Sequence, residues 1–418
     1  MSESEILAYL DKTGKPQLVG RLWVRTRGGR EGASFRYDPT WLQNPERFAL
    51  EPALTLGDGA HHTLSGKALF GAFGDSAPDR WGRMLMNRNE HRRARKQSST
   101  PRALRELDYL LGVSDEARQG ALRFSLQPNG PFLADAGGAT IPLLVDLPRL
   151  LDAADHVLDD DESSEDLRLI LAPGSSLGGA RPKASLRKSD GTLAIAKFAT
   201  AKDDYDVVRS EALALSLART AGITTAAWQL ETILGRGVLV VDRFDRSSIA
   251  RIPFLSAMSM LGATDHESHS YLELADAISQ HGANAQHDSH ELWRRVLFTV
   301  LISNTDDHLR NHAFLYQGTE GWRLSPAYDV NPTPRDVKPR VLSTNIDETN
   351  ATASTDLVFS IAGRFRLSPD KARAIAKEVA NATSKWDRVA TGLGIGKRDR
   401  ERLEASFEHD DLRDAQRN

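Results

Sequence analysis

The stretch VLISNTDDHLRN, residues 300–311, places two carboxylates, an imidazole and a carboxamide directly after an apolar run. A strand-like segment, 313–316, follows it, and SPAYDVN, residues 325–331, closes the region. The apolar run is typical of the end of a buried helix. The region therefore predicts a polar loop between a helix and a short hairpin, with a second polar loop after the hairpin.

The order carboxylate, carboxamide, carboxylate in this region suits phosphoryl transfer. One carboxylate must orient the attacking hydroxyl and accept its proton, and oxygen ligands must hold the magnesium ions that neutralise the phosphates. Asp306 fits the first task, and Asn311 with Asp329 fits the second. The same residue types are common in plain turns, because their side chains bond to their own backbone. The loop alone does not decide between the two interpretations.

Composition limits the possible classes of protein. The chain has 418 residues, enough for two domains or lobes that each bury a core. Its 54 Lys and Arg against 57 Asp and Glu give a net charge of −3, which provides no global attraction to nucleic acid or to anionic membranes. There is no cysteine, which excludes disulfides, thiolate zinc sites and a cysteine nucleophile. With neither a signal peptide nor an apolar run near ~20 residues, we expect a cytoplasmic protein.

The first third of the chain predicts a small β-rich unit followed by a helix. Short strands are predicted at 6–10, 17–25 and 34–37, and Asp75 or Ser76 is the expected cap of a helix entered through Pro78. Two charged runs follow. Residues 88–105 hold seven Lys or Arg, which could bind nucleic acid or an acidic partner, although most such runs are solvated helix faces. Residues 159–166 are acidic and predict a charged loop or a helix start.

A glycine-rich loop, 175–183, precedes a predicted hairpin. The residues of interest in the loop are Gly178, Gly179, Ala180 and Lys183. Small residues let backbone N–H groups approach phosphate oxygens. An Asp-Gly turn at 190–191 then leads to a second strand, 193–198. Neither the Walker pattern nor G-x-G-x-x-G is present, so an ordinary Ser/Gly turn is the commoner explanation of the loop taken by itself.

Lys197 lies in that second strand, where a kinase carries the lysine that pairs with the α- and β-phosphates. The next segment, 203–219, predicts a helix capped by an aspartate at 203 or 204. Glu211 falls in its middle and is either an ion-pair partner of Lys197 or an exposed helix glutamate. A buried strand, 237–241, then turns polar abruptly, as the hinge of a two-lobed kinase does.

Helical periodicity dominates after about residue 245, in 271–278, 291–303 and 369–386. The tail from 397 to 418 is heavily charged and predicts a solvated helix that frays. We therefore predict an α+β protein with a two-lobed, protein-kinase-like fold. The expected parts are an N-terminal β-rich subdomain, a kinase N-lobe and an all-helical C-lobe, at residues 1–125, 126–242 and 243–418.

Taken in order, these segments resemble the HipA-like Ser/Thr kinases, the toxin component of bacterial toxin–antitoxin pairs. The resemblance covers nearly the whole chain. It rests on four motifs and on the similarity of residues 70–82 to the family's N-terminal subdomain. The motifs are SLGGARPK at 176–183, DRFDR at 242–246, TDDHLRN at 305–311 and YD at 328–329.

The resemblance implies roles for the matched residues. It implies Asp306 as proton acceptor and Asn311 with Asp329 as magnesium ligands. The residues implied at ATP are Gly178, Gly179, Ala180, Lys183, Lys197, Asp242, Phe244, His308 and Asp329. Ser176, or its neighbour Ser175, matches a serine that the family autophosphorylates, and a phosphate there would eject the loop by charge repulsion with ATP.

The resemblance also implies partners. The family phosphorylates proteins such as aminoacyl-tRNA synthetases and pairs with a small helix-turn-helix antitoxin that binds operator DNA. No helix-turn-helix is evident in this chain, so DNA contact is expected only through the antitoxin.

Three hypotheses follow. The leading one is a Mg-ATP-dependent Ser/Thr protein kinase that inhibits growth. The second is a non-catalytic, antitoxin-binding co-repressor on the same fold, which would not need the full set of Lys197, Asp306, Asn311 and Asp329. The third is a two-metal phosphoesterase that uses Asp306, Asp307, His308 and Asp329, for which the glycine-rich loop and the strand lysine would have no purpose.

Overall fold

The chain divides into two compact units. Unit 1 comprises Met1–Thr200 and Val240–Leu255, and unit 2 comprises Ala201–Leu239 and Ser256–Asn418. The three-part division expected from the sequence stays a prediction. The computed structural model describes residues 3–128, 130–134, 141–171, 181–200, 203–247, 250–265 and 267–417.

Unit 1 begins with an antiparallel sheet. Its strands are β1 (Glu3–Leu10), β2 (Gln17–Arg27), β3 (Arg30–Tyr37), β4 (His61–His62) and β5 (Leu122–Ser125). They lie in the order β4-β3-β2-β1-β5, which confirms the three predicted strands and lengthens them. Alternate side chains such as Ile6, Leu22 and Phe35 are fully buried on one face. Phe35 packs on Phe73 there, with ring centroids 5.2 Å apart.

Unit 1 also contains helices. They are α1 (Pro39–Leu42), α2 (Gly71–Gly74), α3 (Arg80–Lys96), α4 (Glu106–Gly112), α5 (Leu147–Leu158) and α6 (Ser164–Leu171). Asp79 caps α3 by accepting a hydrogen bond from the Gly82 backbone N–H at 2.9 Å. The predicted caps, Asp75 and Ser76, are wrong because both belong to the end of α2, where the Ser76 hydroxyl donates to the Ala72 carbonyl.

Part of the basic run of unit 1 is paired with the acidic run. Arg88 on α3 forms ion pairs with Asp160 at 2.6 Å and with Glu162 at 2.8 Å. Arg92 lies 3.7 Å from the same Glu162 carboxylate. Much of the positive charge that suggested an acidic partner is therefore matched within unit 1.

A second sheet contains the predicted hairpin. Its strands are β6 (Lys183–Arg187), β7 (Leu193–Phe198), β8 (Trp228–Ile233) and β9 (Arg236–Asp242), in the order β6-β7-β9-β8. Gly191 adopts φ +85° in the turn between β6 and β7, which is why the turn has a glycine there. The hairpin places Lys183 directly opposite Lys197.

Unit 2 is largely helical. Its helices are α7 (Val207–Thr220), α8 (Ala257–Met260), α9 (Tyr271–His281), α10 (Ala285–Leu301), α11 (Thr355–Ser360), α12 (Pro369–Thr383), α13 (Trp386–Gly392), α14 (Lys397–Phe407) and α15 (Asp410–Arg417). Asp206, which accepts from the Arg209 N–H, caps α7 in place of the predicted aspartates. The tail is packed, against prediction, because Phe407 stacks on Trp386 at 4.9 Å and Leu412 is buried.

A third sheet corrects the expectation of an all-helical C-terminal part. Its strands are β10 (Phe254–Ser256), β11 (Ala313–Tyr316) and β12 (Trp322–Leu324), in the order β10-β11-β12. β11 is a short continuous apolar run, AFLY, and its Phe314 pairs with Leu324 across the β11–β12 hairpin. The α+β class is thus confirmed, and the kinase-like lobe layout stays a prediction. Over the described ranges, no helix is long and apolar enough to cross a membrane.

Candidate active site

The loop after α10 is set by the way that helix ends. Ile302 still donates to the Phe298 carbonyl at 3.0 Å, and Ser303 then adopts a left-handed φ of +54°. The Asn304 N–H closes the turn on the Thr299 carbonyl at 2.9 Å, as in common helix C-terminal motifs. The chain therefore leaves the buried helix end in a fixed direction.

Asp306 stands exposed at the tip of this loop, and Asn311 ties its backbone down. The Asp306 carbonyl accepts the His308 N–H at 2.9 Å and the Asn311 Nδ2 at 3.1 Å. Asn311 is itself buried. The spacing of four residues between Asp306 and Asn311 thus closes a compact loop, which leaves Asp306 exposed to solvent.

The neighbouring Asp307 points the opposite way and is buried. Its Oδ2 accepts hydrogen bonds from the Tyr271 hydroxyl at 2.6 Å and the Thr299 hydroxyl at 3.2 Å, and lies 3.1 Å from His312 Nε2. Its carbonyl accepts the Thr344 hydroxyl at 2.7 Å. Burial raises the pKa of the Asp307 carboxyl, but the charge of His312 and the hydrogen bonds from His312 and Tyr271 outweigh it and hold the pKa below its usual value.

This network does not support the two-metal phosphoesterase hypothesis. The Asp307 carboxylate is committed to three side chains of unit 2. Across the part of the chain that the structure describes, no group of three or more His, Cys, Asp or Glu is arranged to hold a metal ion. The partners of Asp307 were missed from the sequence. Nothing local in the sequence indicates which of the two adjacent aspartates is buried.

Asp329 follows the β11–β12 hairpin in a left-handed conformation, with φ +57°. Such a conformation in a non-glycine residue costs roughly 1–3 kcal/mol and is frequent at functional sites. The side chain is half-buried. The preceding Tyr328 donates from its hydroxyl to the Arg310 carbonyl at 2.7 Å. This bond joins the residue before Asp329 to the residue before Asn311.

A small cavity of about 20 Å³ lies behind the loop, enough for about one water molecule. Its polar lining residues include Thr299, Asn304, Asp307, Asn311, His312 and Tyr328. Several buried atoms have no hydrogen-bond partner among the described residues, among them Asn311 Oδ1 and both amide atoms of Asn304. Burying such atoms unpaired is costly, so the site is built to receive a further polar group.

The unpaired Asn311 oxygen provides the test of whether magnesium fits. Magnesium takes one or two protein oxygens and completes its octahedral shell with water and phosphate oxygens. A buried carboxamide oxygen, with the half-buried Asp329 carboxylate next to the Tyr328 bond, matches that donor set. The residues present in unit 2 therefore fit a magnesium ion.

Unit 1 holds the two candidate phosphate lysines. They are cross-strand neighbours, Lys183 on β6 and Lys197 on β7. The Lys183 ammonium lies 2.7 Å from the Asp79 carboxylate, and both side chains are nearly inaccessible, at 4% and 6%. Trp81 Nε1 donates to the Lys183 carbonyl at 3.0 Å. The start of α3 thus fixes both the backbone and the side chain of Lys183, a connection that the sequence did not indicate.

The DRFDR segment is partly structural. The carboxylate of Asp242, a candidate adenine contact, is 3.0 Å from the Lys188 ammonium. Phe244, the other candidate, is half-buried. Arg243 and Asp245 form a fully buried ion pair, and Asp245 also accepts the Gly120 N–H at 2.7 Å. Burial alone would raise the pKa of the Asp245 carboxyl. The charges of Arg243 and Arg246 outweigh burial and hold that pKa well below its ordinary value.

The remaining candidates stand as follows. Ser175, Ser176, Gly178, Gly179 and Ala180 lie outside the described residues. Glu211 is buried in α7, so the alternative of an exposed helix glutamate is wrong. His308 is half-buried on the loop, two residues after Asp306. The structure brings Asp306, His308 and Asn311 together in unit 2.

Two parts of the predicted site are not joined by these observations. Lys183 and Lys197 lie together in unit 1. The pairing of Glu211 with Lys197, and the convergence of the two lysines with Asp306 and Asp329, stay predictions.

Comparisons with known proteins agree with these motifs. Residues 13–112 match the model of the HipA N-terminal domain, and residues 175–386, about half of the chain, match that of the HipA-like C-terminal domain. A "Putative kinase" of Haemophilus influenzae is 36% identical over 77 residues, which cover 18% of this chain and 22% of the relative. "Putative kinase Y4dM" of Sinorhizobium fredii is 28% identical over 251 residues, which cover 50% of this chain and 61% of the relative.

The chain thus spans between about a fifth and three fifths of the length of these curated relatives. A solved structure from Shewanella oneidensis, described as a toxin–antitoxin system of HipA, HipB and its operator DNA, shares the fold. Its TM-score is 0.68 at 15% identity, covering 97% of this chain and 96% of the other. On the two domain models and this shared fold, the chain belongs to the HipA family.

Proposed function

We propose that the protein is a Mg-ATP-dependent serine/threonine protein kinase and acts as the growth-inhibiting toxin of a toxin–antitoxin pair. The observation that carries this proposal is the loop after α10. There an exposed Asp306 is held from behind by Asn311, while Asp307 is locked into the interior. The names of the curated relatives and the HipA family models support the proposal.

In the proposed reaction, Asp306 orients a substrate serine or threonine hydroxyl and accepts its proton. The hydroxyl oxygen bonds to the γ-phosphorus of ATP as the bond to the bridging oxygen breaks, and ADP leaves. Magnesium, when bound, would neutralise the phosphate charges, with Asn311 and Asp329 as its protein ligands. Lys183 and Lys197 would hold the phosphates, and Phe244 with Asp242 would lie at the adenine.

The proposed partners follow from the family. The substrate is a protein, with a translation protein such as an aminoacyl-tRNA synthetase as the first candidate. The second partner is a small helix-turn-helix antitoxin, by analogy with the HipA–HipB–DNA assembly that the Shewanella structure describes. Autophosphorylation is proposed at Ser176 or Ser175.

Incubation with labelled ATP and magnesium tests the proposal. The unmodified protein should incorporate phosphate into the peptide that holds Ser175 and Ser176. Asp306→Asn should reduce the rate by ~10²- to 10⁴-fold, the usual contribution of a general base. Asp356→Asn, which changes an exposed carboxylate on α11, serves as the matched control and should leave the rate unchanged.

Two results would count against the kinase. The first is an unmodified protein that neither binds ATP nor incorporates label. The second is a protein that binds the antitoxin equally well with and without Asp306→Asn and transfers no phosphate to any protein. That second result favours the non-catalytic co-repressor.

A further inference from the structure

The solvent-facing side of the first sheet in unit 1 carries a row of arginines. The register of β2 and β3 pairs Arg21 with Arg36 and Arg27 with Arg30, and it pairs Arg25 with Gly32. All five arginines are exposed. Because alternate residues of a strand point to the same side, these side chains share one surface. We call this surface the arginine face.

The arrangement of charges on the arginine face destabilises the sheet. Like charges directly opposite each other on neighbouring strands destabilise a sheet, and this surface has two such pairs. Arg21 has an acidic partner, Glu5, at 2.6 Å. Even when Glu3, the register partner of Arg25, is counted as well, five arginines are set against two glutamates. In a chain of net charge −3, this local excess of positive charge indicates a polyanionic partner.

An aromatic side chain lies in the middle of the arginine face. Trp23 is half-buried between Arg21 and Arg25 on β2, and its register partners are Glu5 on β1 and Ser34 on β3. The Ser34 hydroxyl lies 2.8 Å from Nδ1 of His62, an exposed residue on β4. An aromatic ring flanked by cations on an open sheet is the arrangement on which unpaired bases stack while the cations bind the phosphates.

We propose that the arginine face binds single-stranded nucleic acid. From Arg21 to Arg27 the row is roughly 20 Å long at about 3.3 Å per residue, enough to follow the backbone of a few unstacked nucleotides. A duplex would hide its bases from a flat sheet and leave Trp23 without a stacking partner. The basic run on α3 is a weaker candidate, because Arg88 and Arg92 are paired with acidic side chains. This inference does not depend on the proposed kinase activity.

Fluorescence anisotropy with a labelled 12-nucleotide RNA of mixed sequence, titrated with the full chain, tests the proposal. We expect binding that weakens with salt. The double substitution Arg27→Gln and Arg30→Gln should lower the slope of log affinity against log salt by about 1.4, or ~0.7 for each phosphate that is no longer neutralised. Trp23→Ala should weaken binding by about 5- to 150-fold, the usual effect of removing the ring on which one base stacks, and Trp23→Phe should retain most of it.

The matched control is the double substitution Arg95→Gln and Lys96→Gln, which removes the same charge from exposed positions on α3. It should leave RNA affinity within twofold. Thermal melts of all variants separate loss of binding from loss of fold. The proposal is overturned if the RNA does not bind at low salt, or if the control weakens binding as much as the β2–β3 variant. Duplex DNA or anionic lipid vesicles binding more tightly than the RNA, with no effect of Trp23→Ala, also overturns it.

Discussion

Replacing Asp307 with alanine should destabilise unit 2 far more than the same change at its exposed neighbour, Asp306. Asp307 is 5% exposed, and its Oδ2 accepts hydrogen bonds from the Tyr271 and Thr299 hydroxyls and from the ring N–H of His312. Tyr271 is itself fully buried. In the alanine variant these three donors lose their acceptor, at about 1–3 kcal/mol for each one left unpaired.

Since one buried ionic partner is removed, we expect a loss of roughly 3–5 kcal/mol in the free energy of unfolding. Asp306→Ala should stay within about 0.5 kcal/mol, as surface substitutions usually do. Tyr271→Phe should cost about 0.5–1.5 kcal/mol, because the carboxylate keeps its other two donors. Urea unfolding followed by tryptophan fluorescence gives all three values.

The pH dependence supplies a second check on Asp307. Its pKa in the folded protein is lowered, so the stabilisation is present above the ordinary carboxyl pKa of about 4 and is lost as the pH falls through the lower folded value. The difference between wild type and Asp307→Ala should therefore narrow below about pH 4. Equal losses from Asp307→Ala and Asp306→Ala at neutral pH would refute the opposite roles assigned to the two aspartates.

The remaining predictions concern three other buried groups. Asp79→Asn keeps a helix cap but removes the carboxylate beside Lys183. We expect a loss of roughly 3–5 kcal/mol in the free energy of unfolding, and weaker ATP binding by calorimetry. Adding Lys183→Met should restore most of the stability. A loss of less than about 1 kcal/mol would contradict the importance of this buried pair. Asp245→Asn should also lower the free energy of unfolding by roughly 3–5 kcal/mol, because Arg243 stays buried and charged. An unchanged midpoint of urea unfolding would argue against the importance of this ion pair. Burial, reinforced by the charge of Arg340, lowers the pKa of His409 to about 4. Between about pH 6.5 and pH 4 the unfolded chain therefore binds a proton at this histidine that the folded chain does not bind. The free energy of unfolding should fall by roughly 3 kcal/mol over that range. His409→Gln should flatten that slope, and a slope unchanged in the variant would rule His409 out.

Local patterns in the sequence predicted many elements of the fold. The hairpin at 183–198 is set by its Asp-Gly turn and the strand at 313–316 by a short apolar run, which are both local signals. The helices after residue 270 follow from their apolar periodicity. The packed tail was missed because a high charge content hid the apolar side of α14 and α15, where Leu403 and Leu412 are buried.

The polar contacts of the site could not be predicted from the sequence because they join positions that are far apart in the chain. Nothing local in the sequence connects Lys183 to Asp79, which lies 104 positions earlier, or Asp307 to Tyr271, which lies 36 positions earlier. The same holds for the pairing of Arg88 with Glu162. Composition suggested a charged surface in that last case, whereas the tertiary structure pairs part of the basic run, 88–105, with the acidic run, 159–166. The contacts that fix Lys183, Asp307 and Arg88 could therefore not be predicted from the sequence.

The most direct test of the proposed kinase site is a crystal structure of the full chain with magnesium and a non-hydrolysable ATP analogue. We expect a metal ion about 2.1 Å from Asn311 Oδ1 and from an Asp329 carboxylate oxygen. We also expect phosphate oxygens within hydrogen-bond distance of Lys183 and Lys197, with the Asp306 carboxylate open beside the γ-phosphate. A nucleotide bound elsewhere, or an Asn311 oxygen that touches no metal while the analogue is in place, would contradict the proposed site.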